Sequence, residues 1–340
     1  MKYFFAFILI LATAGTVHAQ EQTAALLQET AKTLVQKGDF DNAVIVLERA
    51  QKQEPENVDI LRDLCFANYL KRDFAKAIEV GKELVEKPNA DAQSFQVLGL
   101  AYKAIASYKE CGKMYREGLR KFPKSGVLYN EYGELYALDN DLKEAIAQWE
   151  KGIELDPGYS SNYYNAAMYY TRTGNWIRAV LYGETFMNLE SYTTRAEDIK
   201  AELFAAYKKL LDPAEIAKQQ EAKTCSVFEK NVLALFAKAA ANTKADAAGV
   251  DELIGVRTRF IIEWTNEKNK TYPFRLFDQQ QYLLSQGLFS AYNYWLFSTS
   301  MPADVYKAWE KNNRKEADGF KTFQQSRVFK IPTGEYYFAQ

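Results

Sequence analysis

The stretch Gly38-Asp39-Phe40-Asp41-Asn42-Ala43 decides the fold, because the small residue that closes it returns four more times at one interval. Ala43, Ala77, Cys111, Ala145 and Ala179 stand 34 residues apart, and a large residue precedes each by three places: Phe40, Phe74, Tyr108, Leu142 and Trp176. A small side chain is needed where two helices cross closely, and a large one where a turn is pinned to the helices on either side. The two interlocked ladders therefore describe one helix-turn-helix unit, copied.

Working outward, the register sets units at 24–57, 58–91, 92–125, 126–159 and 160–193, with no insertion between them. In the first, Ala24, Leu27, Ala31 and Leu34 recur at helical spacing and Gly38 stops the helix. Asp41 is expected to cap a second helix, 43–53, that buries Val46, Leu47 and Ala50 before Pro55 ends it.

On these residues the chain resembles the tetratricopeptide repeat (TPR) family. Phe95-x-x-Leu98-Gly99-x-x-Tyr102 and Tyr129-x-x-Tyr132-Gly133-x-x-Tyr136 follow its first-helix pattern. Cys111-x-x-x-Tyr115 and Ala145-x-x-x-Trp149 follow the second-helix half, and Pro123 and Pro157 fall in phase with Pro55. Pro88, Gly81, Gly183 and Ser191 depart from the pattern without shifting the register. The resemblance implies an all-α fold, a right-handed α-solenoid whose first helices line the inner surface, followed here by a helical C-terminal domain.

A chain of 340 residues is long for one compact core and suggests two modules. Its 43 basic and 44 acidic residues are mixed along the chain, so no electrostatic footprint for nucleic acid is visible. Lys2, an apolar run over 3–14 and Val17-x-Ala19 read as a signal peptide, 1–19, removed on export to the periplasm or the medium. The run is too short to cross a bilayer of about 30 Å, so no membrane span is expected after cleavage.

The only histidine, His18, lies inside that leader. Serine–histidine and cysteine–histidine nucleophile pairs and histidine-based zinc sites are thereby excluded from the mature chain. Cys65, Cys111 and Cys225 are too few and too far apart for a disulfide framework, and the first two sit on small-residue positions of the repeat, where a thiol packs as a small hydrophobe. With no phosphate-binding glycine loop and no nucleophile motif, neither enzyme activity, cofactor nor metal is expected. Glu252, Glu263 and Asp278 could in principle serve as paired acids, but their spacing matches solvated helix faces.

Residues 194–249 read as a degenerate sixth repeat: a helix over 195–211 closed by Asp212-Pro213, a helix over 226–241, and a small, polar boundary at 242–249. These helices are expected to cover the apolar end of the last repeat. Residues 250–340 are aromatic-rich, with helices over 251–268, over 278–297 broken at Gly287, and over 303–327. Most of their rings stand at core spacing, and a glycan-binding role for this aromatic domain is the alternative function.

The family's register places Arg62, Phe66 and Tyr69, Gln96, Leu100 and Lys103, Asn130 and Glu134, and Tyr164, Met168 and Thr171 on the groove. The lysine and asparagine clamp by which one subgroup grips a partner's C-terminal carboxylate is replaced here by Gln28, Lys32, Asp63, Gln93 and Val97. The expected function is an exported scaffold that holds a protein or peptide partner in this groove.

Overall fold

The computed structural model describes residues 22–244, 248–332 and 335. The expected leader and the terminal Tyr336, Tyr337 and Phe338 lie outside the described residues. Among those described there are 18 α-helices and no strand, so the fold is all-α, built on helix-turn-helix repeats of the α-solenoid type. The described residues form two compact units, divided between Ala90 and Asp91.

The first unit contains α1 (Ala24–Gln36), α2 (Phe40–Gln53), α3 (Val58–Lys71) and α4 (Phe74–Glu86). Leu27, Leu47, Ile60, Leu61, Leu64 and Leu84 form its buried core. Val44 is buried where the sequence pattern points to Val46, and Val46 is half-buried. The second unit opens with α5 (Ala92–Ala104), α6 (Tyr108–Lys121), α7 (Gly126–Leu138), α8 (Leu142–Leu155), α9 (Ser160–Thr173) and α10 (Trp176–Leu189).

The small-residue ladder behaves as its chemistry requires: Ala43, Ala77, Cys111, Ala145 and Ala179 are all buried. Two more ladders run at the same interval. The residue before each second helix is Asp39, Asp73, Ser107, Asp141 or Asn175, and four of the five accept a hydrogen bond from a backbone N–H of the first turn. Asp39, not Asp41, is therefore the cap of α2, which begins three residues earlier than expected because the turn is tight. The residue before each cap has positive φ: Gly38, Arg72, Ala106, Asn140 and Gly174.

Beyond α10 come α11 (Thr194–Lys209), α12 (Pro213–Glu221), α13 (Val227–Ala240), α14 (Val250–Glu267), α15 (Arg275–Ser285), α16 (Phe289–Leu296), α17 (Ala303–Asn312) and α18 (Arg314–Ser326). Asp212-Pro213 follows the end of α11 and also begins α12: Asp212 accepts from the Ala214 N–H, and Pro213 sits at the first helical position, where its missing N–H costs nothing. The long helix expected over 303–327 is two helices, broken at Asn313. One buried cluster runs from Ala145 to Phe320, so the aromatic C-terminal helices share a core with the fourth and fifth repeats.

Candidate functional groove

Within each unit, side chains bridge successive first helices. In the first unit Gln28 on α1 donates to Asp63 on α3 at 2.7 Å. Phe66 is exposed and stacks on half-buried Tyr69, with centroids 6.1 Å apart, while Arg62 pairs with Asp59 on its own helix. These three predicted residues share one face of α3.

In the second unit the same 35-residue step recurs: Gln96 Nε2 donates to Glu131 at 2.9 Å, and Asn165 Nδ2 to Asn130 Oδ1 at 2.8 Å. Lys103 lies between two carboxylates, 2.6 Å from Glu131 and 2.9 Å from Glu134. Burial works against its charge, but the two carboxylates outweigh that and push its pKa up. Glu131 also accepts from the Tyr115 hydroxyl at 3.2 Å. Glu131 is buried, and the groove register does not pick it out. Its signal in the sequence is the acidic position 35 residues after Gln96, in phase with Asp63 after Gln28.

Asn130 is buried. It donates to Glu134 at 3.0 Å, and its carbonyl accepts from Trp149 at 3.3 Å, so it holds the carboxylate and the indole from beneath. Leu100 and Gln96 are half-buried on α5.

Glu134, Tyr164 and Met168 come together at a pocket of about 390 Å³ between the fourth and fifth repeats. Ala137, Leu138, Leu142, Trp149 and Tyr169 supply apolar wall, and Arg172 and Asn165 complete it. Leu138 and Leu142 are 56% and 39% exposed, a large apolar surface to leave in water. Leu142 serves twice, as the large turn residue of the ladder and as pocket wall. Tyr164 donates to Asp198 at 3.2 Å and carries the Arg195 guanidinium over its ring at 5.2 Å.

The three candidate acids are held by separate partners. Glu252 accepts from the Gly249 N–H at 2.9 Å, Glu263 pairs with Lys238 at 3.3 Å, and Asp278 accepts from Asn269 at 3.0 Å. Among the described residues no group of three or more histidine, cysteine or acidic side chains is placed to hold a metal ion, and no helix is long and apolar enough to cross a membrane. Burial pushes the Cys65 and Cys111 thiols up to about 12. Both point at a carbonyl across a helix crossing, Cys65 at Ala77 and Cys111 at Gly99, which are the same crossing one repeat apart. Of the C-terminal rings, Phe260, Trp264, Phe274, Phe277, Phe289 and Tyr292 are core, whereas Trp295, Tyr306 and Trp309 are only half-buried.

Tetratricopeptide repeat family models match residues 29–92 and 127–159. A probable UDP-N-acetylglucosamine–peptide N-acetylglucosaminyltransferase SPINDLY of Hordeum vulgare is 26% identical over 150 residues, and the match spans 44% of this chain but 15% of that protein. Among solved structures, TTC0263, a thermophilic TPR protein of Thermus thermophilus, is 19% identical with a TM-score of 0.45, covering 54% of this chain and 99% of that one. MamA (41-end) from Desulfovibrio magneticus RS-1 is 18% identical with a TM-score of 0.38, covering 49% and 94%. The two family matches fall on the 34-residue register and on the helix pairs that obey it, so the chain carries tetratricopeptide repeats over the matched residues.

Proposed function

We propose that this protein is an exported scaffold that binds a segment of another polypeptide along α5, α7 and α9, with the pocket between α7, α8 and α9 as the anchor. Proteins of this family generally act by holding protein or peptide partners and are generally not enzymes. The observation that carries the reading is the pocket itself: apolar wall from Leu138, Leu142 and Met168, a Trp149 floor, and a polar margin of Glu134, Asn165 and Arg172. Filling it with one large apolar side chain contributes about 1.5–3 kcal/mol, the scale of an anchor residue. Export rests on the leader-like sequence at 1–19.

Selection of peptides from a random displayed library tests the binding reading. Enriched peptides should carry a large apolar residue and lose at least about tenfold in affinity on Met168→Glu. Peptides that bind parent and variant equally would remove the pocket from the reading. Intact mass of the exported protein tests the leader, and retention of residues 1–19 would overturn export by cleavage.

A further inference from the structure

A second concavity, of about 790 Å³, lies between α16, α17 and α18, walled on one side by Tyr192. The groove reading does not use it. Its volume is within the range of about 300–1,000 Å³ typical of small-ligand sites. We infer that it binds a short acidic oligosaccharide, stacked on Trp309 and held at its carboxylates by Lys311 and Lys321.

The aromatic part is prepared for stacking. Trp309 rests on Tyr294 with centroids 4.2 Å apart and rings 14° from parallel. Tyr294 is not part of the cleft wall, and its stack fixes the orientation of the Trp309 ring, which is part of that wall. Trp295 is held between Phe320, at 5.8 Å, and the Lys200 ammonium, at 4.9 Å from its centroid. Tyr192, at the cleft wall, is 71% exposed. Immobile aromatic faces suit a flat C–H surface such as that of a pyranose ring, because little side-chain entropy is lost on contact.

The polar part selects the ligand further. A wholly apolar ligand would strand the charged side chains around the rings without partners. A pyranose matches both: one face of C–H groups, and an edge of hydroxyls that donate and accept. Asp318 is taken up by Arg314 at 3.5 Å, and Glu310 accepts a hydrogen bond from Tyr306. Lys311 and Lys321 have no ion-pair partner among the described residues, so the cleft is left with excess positive charge. The Gln324 amide also lines it, and its buried Nε2 has no hydrogen-bond partner among the described residues. Two cations and an orphan donor beside an aromatic floor favour a sugar that carries carboxylates over a neutral one.

The test is calorimetric titration of the full chain with trigalacturonate, trimannuronate and sialyllactose, each beside the neutral probes cellotriose and maltotriose. At least one acidic probe should bind saturably, at least about tenfold tighter than the neutral pair, with a change in tryptophan emission. Trp309→Ala should lower that affinity at least about tenfold. Because Trp309 also packs on Tyr294 at the edge of the core, this variant should lower the melting temperature too, and its affinity is read well below that temperature, where the chain is folded. Tyr192→Ala, at an exposed site, is the second variant and should weaken binding without any effect on folding. Lys311→Gln with Lys321→Gln should abolish the preference for acidic probes, while Met168→Glu should leave it intact. Absence of binding by every probe, equal binding of acidic and neutral probes, or binding unaffected by Trp309→Ala and Tyr192→Ala would each overturn the assignment.

Discussion

Trp149 lies where Gly133 has no side chain: a Cβ built on Gly133 would stand 2.3 Å from the indole Nε1. One repeat earlier Tyr115 fills the same space over Gly99, where a Cβ would meet its hydroxyl oxygen at 1.9 Å. The glycine of the first helix and the ring of the second are one packing unit, and in the fourth repeat that unit also forms the floor of the candidate pocket. Gly133→Ala should therefore destabilise the fold by about 1–3 kcal/mol through overpacking. It should also displace the indole from Asn130 and weaken any ligand of the pocket. Gly158→Ala is the control, since a methyl group added there would find its nearest neighbour, an Asp156 carboxylate oxygen, at an ordinary contact distance of 3.8 Å. Thermal melts of the two variants, followed by tryptophan emission, compare them directly.

The ladder position Ala145 supports a second comparison. It is fully buried on α8, whereas Lys143, two places earlier, is exposed. Ala145→Leu should lower stability by about 1–3 kcal/mol, because no rotamer of leucine fits a close helix crossing. Lys143→Leu should change it by less than about 0.5 kcal/mol. Equal losses in denaturant melts would mean that the 34-residue register is misplaced.

The helix pairs are legible because each repeat must solve the same packing problem with the same residue types, so 34-residue spacing exposes them without a structure. The capping ladder is equally present in the sequence, at Asp39, Asp73, Ser107, Asp141 and Asn175. It is obscured at the first turn because two aspartates compete there and only the turn geometry decides between them. Pro213 carries two readings for a local reason, since proline both ends helices and begins them. The register places Lys103 on the groove but does not show that it is buried against Glu131, because a charged side chain is buried only when its partner arrives from another helix, 28 residues away in this case. The cleft beside Trp309 depends on the break at Asn313, which turns one expected helix into two.

Acid should act through Glu190, at the end of the fifth repeat. Burial works to raise its pKa, but hydrogen bonds from Thr193 at 2.6 Å, Arg195 at 2.5 Å and Ser160 at 2.7 Å outweigh it and hold the carboxyl below its ordinary value. A carboxyl depressed in the folded state stabilises above its unfolded pKa, about 4.3, and that contribution disappears as pH falls through the folded value. Glu190→Gln should thus lower the melting temperature at neutral pH, and the gap to the parent should close progressively below about pH 4. A gap of constant size across that window would show that the carboxylate charge is not what the three donors recognise.

The deepest polar centre ties the fifth repeat to the C-terminal helices, and it makes the strongest stability prediction. Glu184 on α10 is fully buried and accepts from Gln280 at 2.6 Å, from Tyr292 at 2.7 Å, and from Tyr207 and Arg257. Arg257 is buried as well, donates to Asn293, and lies 4.7 Å from the Tyr207 ring centroid. Removing one partner of such a pair leaves a desolvated charge uncompensated, at a cost of about 3–5 kcal/mol. Arg257→Met and Glu184→Gln should each approach that loss in denaturant melts. The double variant should lose clearly less than the sum of the two, because neither charge is then stranded. The same geometry governs truncation. A chain ending at Thr193 uncovers the apolar end of the last repeat, and one ending near Asn242, which the sequence alone suggests as the better-behaved form, still lacks Arg257, Gln280 and Tyr292 around Glu184. Both should aggregate or melt far below the full chain in size-exclusion and thermal assays, and a soluble, cooperatively melting monomer of the longer form would show that Glu184 finds other partners.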